Sequence, residues 1–191
     1  MSVIDNVYGV LFEPVNTFRY LKDNKPYGQA ILLLVLILSI TTVFQTAQLK
    51  NTAPLMPDKF SEGIILFAVM SAIMSLLSIF FLSGFVSLLS EMFWGKANAG
   101  GVLTTTCFAS LPAVLAPPLA YAATITGVEW IGVIFSLLIA IWVFILQLLG
   151  IREALEVSTG QATLLIFMPL IILVFVLICI AVLFAITYKG F

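Results

Sequence analysis

Long apolar runs alternate with short polar segments along the chain. The first run, "YGQAILLLVLILSITTVFQTAQ" from Tyr27 to Gln48, carries no charge. At 1.5 Å per residue it is long enough to cross about 30 Å of hydrocarbon as a helix. Four more runs follow, from about Gly63 to Phe93, Val102 to Thr126, Trp130 to Leu149 and Ala162 to Tyr188. The pattern predicts an all-α polytopic membrane protein with five transmembrane helices, residues 27–191 forming the membrane domain. The second run exceeds one perpendicular crossing, which predicts tilt, protrusion into water or a break near "FLSGFVS". Pro169 predicts a bend in the early turns of the fifth. "KNTAPLMPDKFSE" reads as a surface loop, "GKANAGG" as a short loop, Gly127-Val128-Glu129 as a tight turn and "GIREALEVSTGQ" as a polar connection.

Residues 1–26 are too polar to span. Val3, Ile4, Val7, Leu11, Val15, Phe18 and Leu21 recur at three- and four-residue steps, as one face of a helix does. Pro14 suits the first turn of a second helix. The segment therefore reads as one or two short amphipathic helices on the cytoplasmic side. On one reading they lie in the interface, Arg19 and Lys22 reaching lipid phosphates while Phe18 and Leu21 dip into acyl chains. On the other, the same apolar face packs on the membrane domain.

The third run contains "LPAVLAPPLAYAA", with Pro112, Pro117 and Pro118. A proline removes the N–H that would bond the carbonyl four residues earlier, so the carbonyls of Phe108, Ala113 and Val114 lose their helical partners. Proline also displaces the residue before it from helical angles. A break is expected near Ala116, with Pro117 opening a new half-helix. Hydrocarbon cannot solvate the freed groups, so the break must face protein, water or a neighbouring hydroxyl. A kink buried against the second span is the favoured reading, and a transporter-type broken helix the alternative. The second span carries two small-residue stripes, Ala68, Ser71, Ala72, Ser75 and Ser78, then Ser83, Ser87 and Ser90. Helix packing accounts for them better than a polar groove.

Composition removes most chemistries. The chain is 62% hydrophobic and 9% charged, with a formal net charge of -1. No Lys/Arg cluster offers a nucleic-acid surface. The absence of histidine excludes Ser-His and Cys-His catalysis and His-ligated metals. Cys107 and Cys179 read as apolar packers. No nucleophile–base pair, paired-carboxylate site, phosphate loop or metal cluster can be assembled, so no enzyme activity, cofactor or metal is expected. No cleavable signal is visible. With the N-terminus inside, the inner segments hold five cations (Arg19, Lys22, Lys25, Lys96 and Arg152) against three outside (Lys50, Lys59 and Lys189). The charge bias thus predicts a cytoplasmic N-terminus and an external C-terminus. Gln45, Gln147 and Glu91 are the most polar groups within the runs. Glu91, near a membrane edge, is placed to pair with Lys96 or Arg152. With Pro112, Pro117 and Pro118, these three charges are the weak candidate site residues.

An amphipathic leader with "FEPVNTF", five spans, "FASLP" in the third and "LGIREALEVSTGQA" joining the last two together resemble the Yip1-domain family over nearly the whole chain. The resemblance implies five membrane helices and a cytoplasmic N-terminus. Eukaryotic members act in ER–Golgi trafficking, associate with Rab-type GTPases and one another, and are linked to membrane shaping. Only a short segment precedes the first span here, which counts against GTPase binding and points to a prokaryotic plasma-membrane protein. No catalytic or binding residue carries over. The expected partners are the lipid bilayer, further copies or other membrane proteins, but not nucleic acid. The leading expectation is a non-enzymatic membrane-organising scaffold. The alternative is a small transporter, channel or lipid-translocating protein using the broken third span.

Overall fold

The computed structural model describes residues 2–52 and 58–189, and among these there is no strand. Two short helices open the chain, α1 (Val3–Phe12) and α2 (Pro14–Asn24). Ser2 starts α1 with a reciprocal capping box, its Oγ accepting from the Asp5 N–H at 3.2 Å while Asp5 accepts the Ser2 N–H at 2.8 Å. Pro14 opens α2 in its first turn, where the missing N–H has no cost. Then come α3 (Tyr27–Thr52), α4 (Asp58–Trp94), α5 (Ala99–Ala109), a 3-10 segment (Leu111–Leu115), α6 (Ala116–Ile125), α7 (Glu129–Leu155) and α8 (Thr159–Lys189).

Five stretches are long and apolar enough to cross a membrane: Tyr27–Gln48, Gly63–Trp94, Ala99–Ile125, Glu129–Leu155 and Thr159–Val182. The five-span, all-α class expected from the hydropathy pattern is what the fold has. The surface loop expected over Lys50–Glu62 is shorter than that reading, since α3 continues to Thr52 and α4 begins at Asp58. Residues 53–57 lie outside the described residues. Of the three alternatives for the second run, a break near "FLSGFVS" is ruled out, α4 passing through it as one helix. The tight turn after α6 is a Schellman motif. Gly127 takes φ 71°, the Val128 N–H bonds the Ala123 carbonyl at 3.0 Å and the Gly127 N–H bonds the Thr124 carbonyl at 3.3 Å.

The core gathers around α5, which touches α2, α3, α4 and α7. Val102, Thr104, Thr105, Cys107 and Phe108 are all buried on it. Thr104 and Thr105 are tolerated there because each hydroxyl donates to the Gly101 carbonyl, at 3.0 and 2.9 Å. Cys107 is buried as expected of an apolar packer, whereas Cys179 is exposed on α8.

The third span breaks earlier, and against different neighbours, than the proline rule predicts. Its first α-helix ends at Ala109, five residues of 3-10 helix follow, and a second α-helix starts at Ala116. Switching to i→i+3 pairing recovers one carbonyl counted as lost, because Ala113 accepts from the Ala116 N–H. Pro112 is buried, and the segment lies between α3 and α7. The expected burial against the serine-rich α4 is therefore corrected: α4 instead packs on α5, before the break.

The two small-residue stripes on α4 part company. Ser83, Ser87 and Ser90 are buried, whereas Ser75 and Ser78 are exposed. Ser75 and Ser78 satisfy their hydroxyls by donating to the Ser71 and Met74 carbonyls of their own helix. α8 likewise has two halves. Ala162 and Leu165 are fully buried, but every residue from Leu170 to Val182, just past Pro169, is exposed.

α6 and α7 pack closely because Gly132 meets Ala123, where an added Cβ would lie 2.7 Å from the alanine methyl. Neither partner has a flexible end to move aside. Gly132→Leu is expected to cost about 1–3 kcal/mol, read as a lowered thermal midpoint in detergent, with Gly28→Leu, which has open space around it, unchanged.

Candidate functional site: the charged end of the bundle and the third-span break

The ends of α2, α4 and α7 meet the start of α5 at one end of the molecule. α2 lies there because its apolar side has somewhere to go: Phe18 and Leu21 are fully buried in the core with Val10 of α1 and Phe108 of α5. These side chains face protein, not acyl chains, which corrects the interfacial reading of Phe18 and Leu21. What α1 leaves exposed is a different row, Ile4, Tyr8 and Phe12, at 78%, 63% and 67%, with the Tyr8 and Phe12 rings 4.6 Å apart. Gly9 permits the close turn between α1 and α2, since a Cβ there would meet Thr17 Oγ1 at 2.3 Å.

The polar side of α2 meets the last turn of α7. Arg19 Nε donates to Glu153 Oε2 at 2.8 Å, and Arg152 Nη2 donates to Glu153 Oε1 at 2.6 Å. Glu153, 9% exposed, thus bridges an arginine from each helix. One turn on, Lys22 pairs with Glu156, and Lys96 from the α4–α5 loop donates to the Glu156 carbonyl. Arg19 and Lys22 therefore face protein carboxylates, as the packing alternative has it and not the one that takes them to lipid phosphates. Glu91 is exposed, and the expected pair of Glu91 with Lys96 or Arg152 does not form; those cations serve the end of α7 instead.

Three helices end here in the left-handed conformation, α2 at Lys25 (φ 44°), α4 at Gly95 (φ 67°) and α7 at Glu156 (φ 55°). All three residues line one polar pocket of about 380 Å³, together with Lys96 and Asn98. Helix C-termini present unpaired carbonyls and partial negative charge, and the side chains of the α4–α5 loop supply the donors. Asn98 does most of this. Its N–H bonds Ser87 Oγ at 3.0 Å, its Oδ1 caps α5 through the Gly101 N–H at 3.0 Å, and its Nδ2 donates to the Ala154 carbonyl at 3.1 Å. One residue so ties α4, α5 and α7. "GKANAGG" thus holds no phosphate loop; it is a knot between spans.

The prolines stand apart from this end. Pro112 is buried in the 3-10 segment, and Pro117 and Pro118 are half-buried in the first turn of α6. Pro117 opens the half-helix as expected. Thus the fold gathers Lys96 and Arg152 around the end of α7, leaves Glu91 outside, and keeps the three prolines in the other half of the third span. Glu153, Glu156 and Asn98 are additions that the sequence reading missed. A signal for the first two exists: Arg19 and Lys22 share the three-residue spacing of Glu153 and Glu156, as two matched helix turns require. Among the described residues no group of His, Cys, Asp and Glu could hold a metal ion.

The hydrogen bond from Lys22, and then its charge, hold the Glu156 carboxyl below its usual value near 4.5, with Lys96 adding to the effect. A carboxylate depressed in the folded state stabilises above its unfolded pKa, and the contribution is lost as pH falls through the lowered value. Protection of the α2 amides, taken relative to the intrinsic exchange rate at each pH, should therefore fall on acidification below about 4.5, and Glu156→Gln should show the lower protection already at neutral pH. Separately, Asn98→Ala should cost about 2–3 kcal/mol, from the lost cap and the stranded Ala154 carbonyl. Asn98→Asp should restore only part of this, because a carboxylate caps α5 but cannot donate to Ala154; thermal unfolding of the three proteins in detergent checks the order.

The leader, the five spans and the knot at "GKANAGG" can be set against known families. The Yip1 domain matches residues 8–181, from within α1 to the outer part of α8. No curated protein and no solved structure matches the chain. With the match running through both short helices and all five spans, the chain belongs to the Yip1-domain family.

Proposed function

We propose that this protein organises membrane without catalysis, as a scaffold that holds an amphipathic wedge at the cytoplasmic face of a prokaryotic plasma membrane. The observation that carries the reading is the division of labour within the leader. Val10, Phe18 and Leu21 fix α1 and α2 to the spans, while Ile4, Tyr8 and Phe12 are left as an exposed apolar row beside them. A helix held rigidly to a transmembrane bundle cannot leave the surface as a free peptide can, so its apolar row stays at the headgroup–acyl boundary. The cations Arg19, Lys22, Lys25, Lys96 and Arg152 share this end of the molecule, which supports a cytoplasmic orientation by the positive-inside bias. Self-association and contact with other membrane proteins belong to the same reading.

The alternative, a transporter, channel or lipid-translocating protein working through the broken third span, has less support. The break at Leu111–Leu115 packs against α3 and α7 with Pro112 buried, and the Ala113 carbonyl is paired within the 3-10 turn.

Replacing Ile4, Tyr8 and Phe12 together by Glu should reduce vesicle deformation by the reconstituted protein several-fold while leaving its thermal midpoint within a few degrees, because exposed substitutions are nearly neutral. Deformation equal to wild type in electron micrographs of matched proteoliposomes would sink the wedge. Phe18→Asp is unsuitable for this test, since a buried unpaired carboxylate unfolds α2 first.

A further inference from the structure

A second cavity, of about 160 Å³, lies at membrane depth between α4, α5, α7 and α8. Its walls include Ser83, Thr106, Gln147 and Pro169, with Val102 and Ile166 among the apolar remainder, and no charged side chain. Gln147 sits five residues before Arg152 on α7, roughly 7–8 Å further from the charged end at 1.5 Å per residue. Gln147 lies inside the apolar Glu129–Leu155 span, near its charged end.

The polar groups at this cavity are underused. The Gln147 amide, with two donors and one acceptor oxygen, makes no hydrogen bond, and the Thr106 hydroxyl makes none either, whereas its neighbours Thr104 and Thr105 are both satisfied by their own helix. Ser83 donates to the Ile79 carbonyl at 2.7 Å and keeps its acceptor capacity. Pro169 lines the same space and has no N–H of its own to offer. Leaving such groups unpaired in hydrocarbon is costly, and they converge on one space. At roughly 30 Å³ per water, the cavity holds the polar end of a small amphiphile, and no whole lipid. The way out is apolar: beyond Pro169, α8 is exposed from Leu170 onward, and Phe81 and Leu82 of α4 are exposed beside Ser83.

We propose that this cavity binds the uncharged polar end of a lipid-like molecule, a hydroxyl, ester or amide on a hydrocarbon chain. Gln147 and Thr106 supply the hydrogen bonds, and the chain leaves sideways between α4 and α8. The absence of a charged wall selects against phosphate-bearing headgroups, whose desolvation nothing here would compensate. The site shares no residue with the wedge on α1, so the proposal stands independently of the scaffold reading.

The test is photo-crosslinking of the full chain in lipid nanodiscs with a monoacylglycerol carrying a diazirine near its ester and an alkyne on its chain. Labelled peptides are mapped by mass spectrometry. The expected result is labelling of α4, α7 or α8 residues at the cavity, competed by unlabelled monoacylglycerol. Gln147→Leu should lower it roughly tenfold, the change produced by losing about one hydrogen bond in a dry site. Thr106→Val, which keeps the side-chain shape, should lower it by about threefold or more. Gln45→Leu, away from the cavity, should leave it unchanged. Thermal midpoints of all variants identify any that misfold, and Thr106→Val carries the test should Gln147→Leu do so. A phosphatidic acid probe with the same reporters should label the site far less. Equal labelling of wild type and both variants, equal labelling by the phosphate probe, or no cavity labelling in wild type, as for a cavity holding water alone, would each overturn the proposal.

Discussion

Hydrocarbon offers no partner to a backbone N–H or C=O, and the third span is where this constraint bears hardest. Three prolines remove three donors from a segment that must still cross the membrane. The chain meets the shortage by changing its pairing rule over Leu111–Leu115 and by covering that stretch with α3 and α7. Much of the architecture depends on that solution. The first half of the span, α5, sits among α2, α3, α4 and α7, while the second half, α6, turns to pair with α7 and α3. α4 packs on the first half of the third span, and a cavity opens near its midpoint between α4, α5, α7 and α8.

The other end of the bundle faces a complementary problem. Three helices stop close together; Lys96 and Asn98 of the α4–α5 loop donate to the last carbonyls of α7, while the cations of α2 pair with its Glu153 and Glu156 carboxylates. The pairs are not equivalent. Lys22 with Glu156 is partly exposed and screened, so it contributes modestly. Glu153, held between Arg19 and Arg152, is buried enough that losing a partner strands charge. Apolar burial of Phe18 and Leu21, worth about 1.5–3 kcal/mol per side chain, supplies the larger share of α2 docking, and the ion pairs fix its register on α7.

Much of this fold is legible in the sequence because hydropathy over twenty residues reports directly on spanning. The leader shows its helices by period, and Pro14 marks their junction. Period alone does not say whether Phe18 meets lipid or Phe108, because both neighbours are apolar; only the tertiary fold distinguishes them. The break is misplaced toward Ala116 by expecting Pro117 to push that residue from helical angles, whereas Ala116 keeps φ -64° and ψ -49° and the α-helix ends earlier, before Pro112. The charged cluster is the least legible part, because Arg19 and Glu153 lie 134 residues apart and Asn98 resembles any loop asparagine. Gln147 is visible as a polar residue in a span, but that its amide lacks a partner is a property of its neighbours.

The exposed far half of α8 has a mechanical side. The helix runs from Thr159 to Lys189, 31 residues, about 46 Å at 1.5 Å per residue, against roughly 30 Å of hydrocarbon. Its near half is buried at Ala162 and Leu165, while the described residues from Leu170 to Val182 are all exposed. A helix longer than the hydrocarbon it crosses accommodates the excess by tilting, and the exposed stretch after Pro169 is the part of α8 with room to do so.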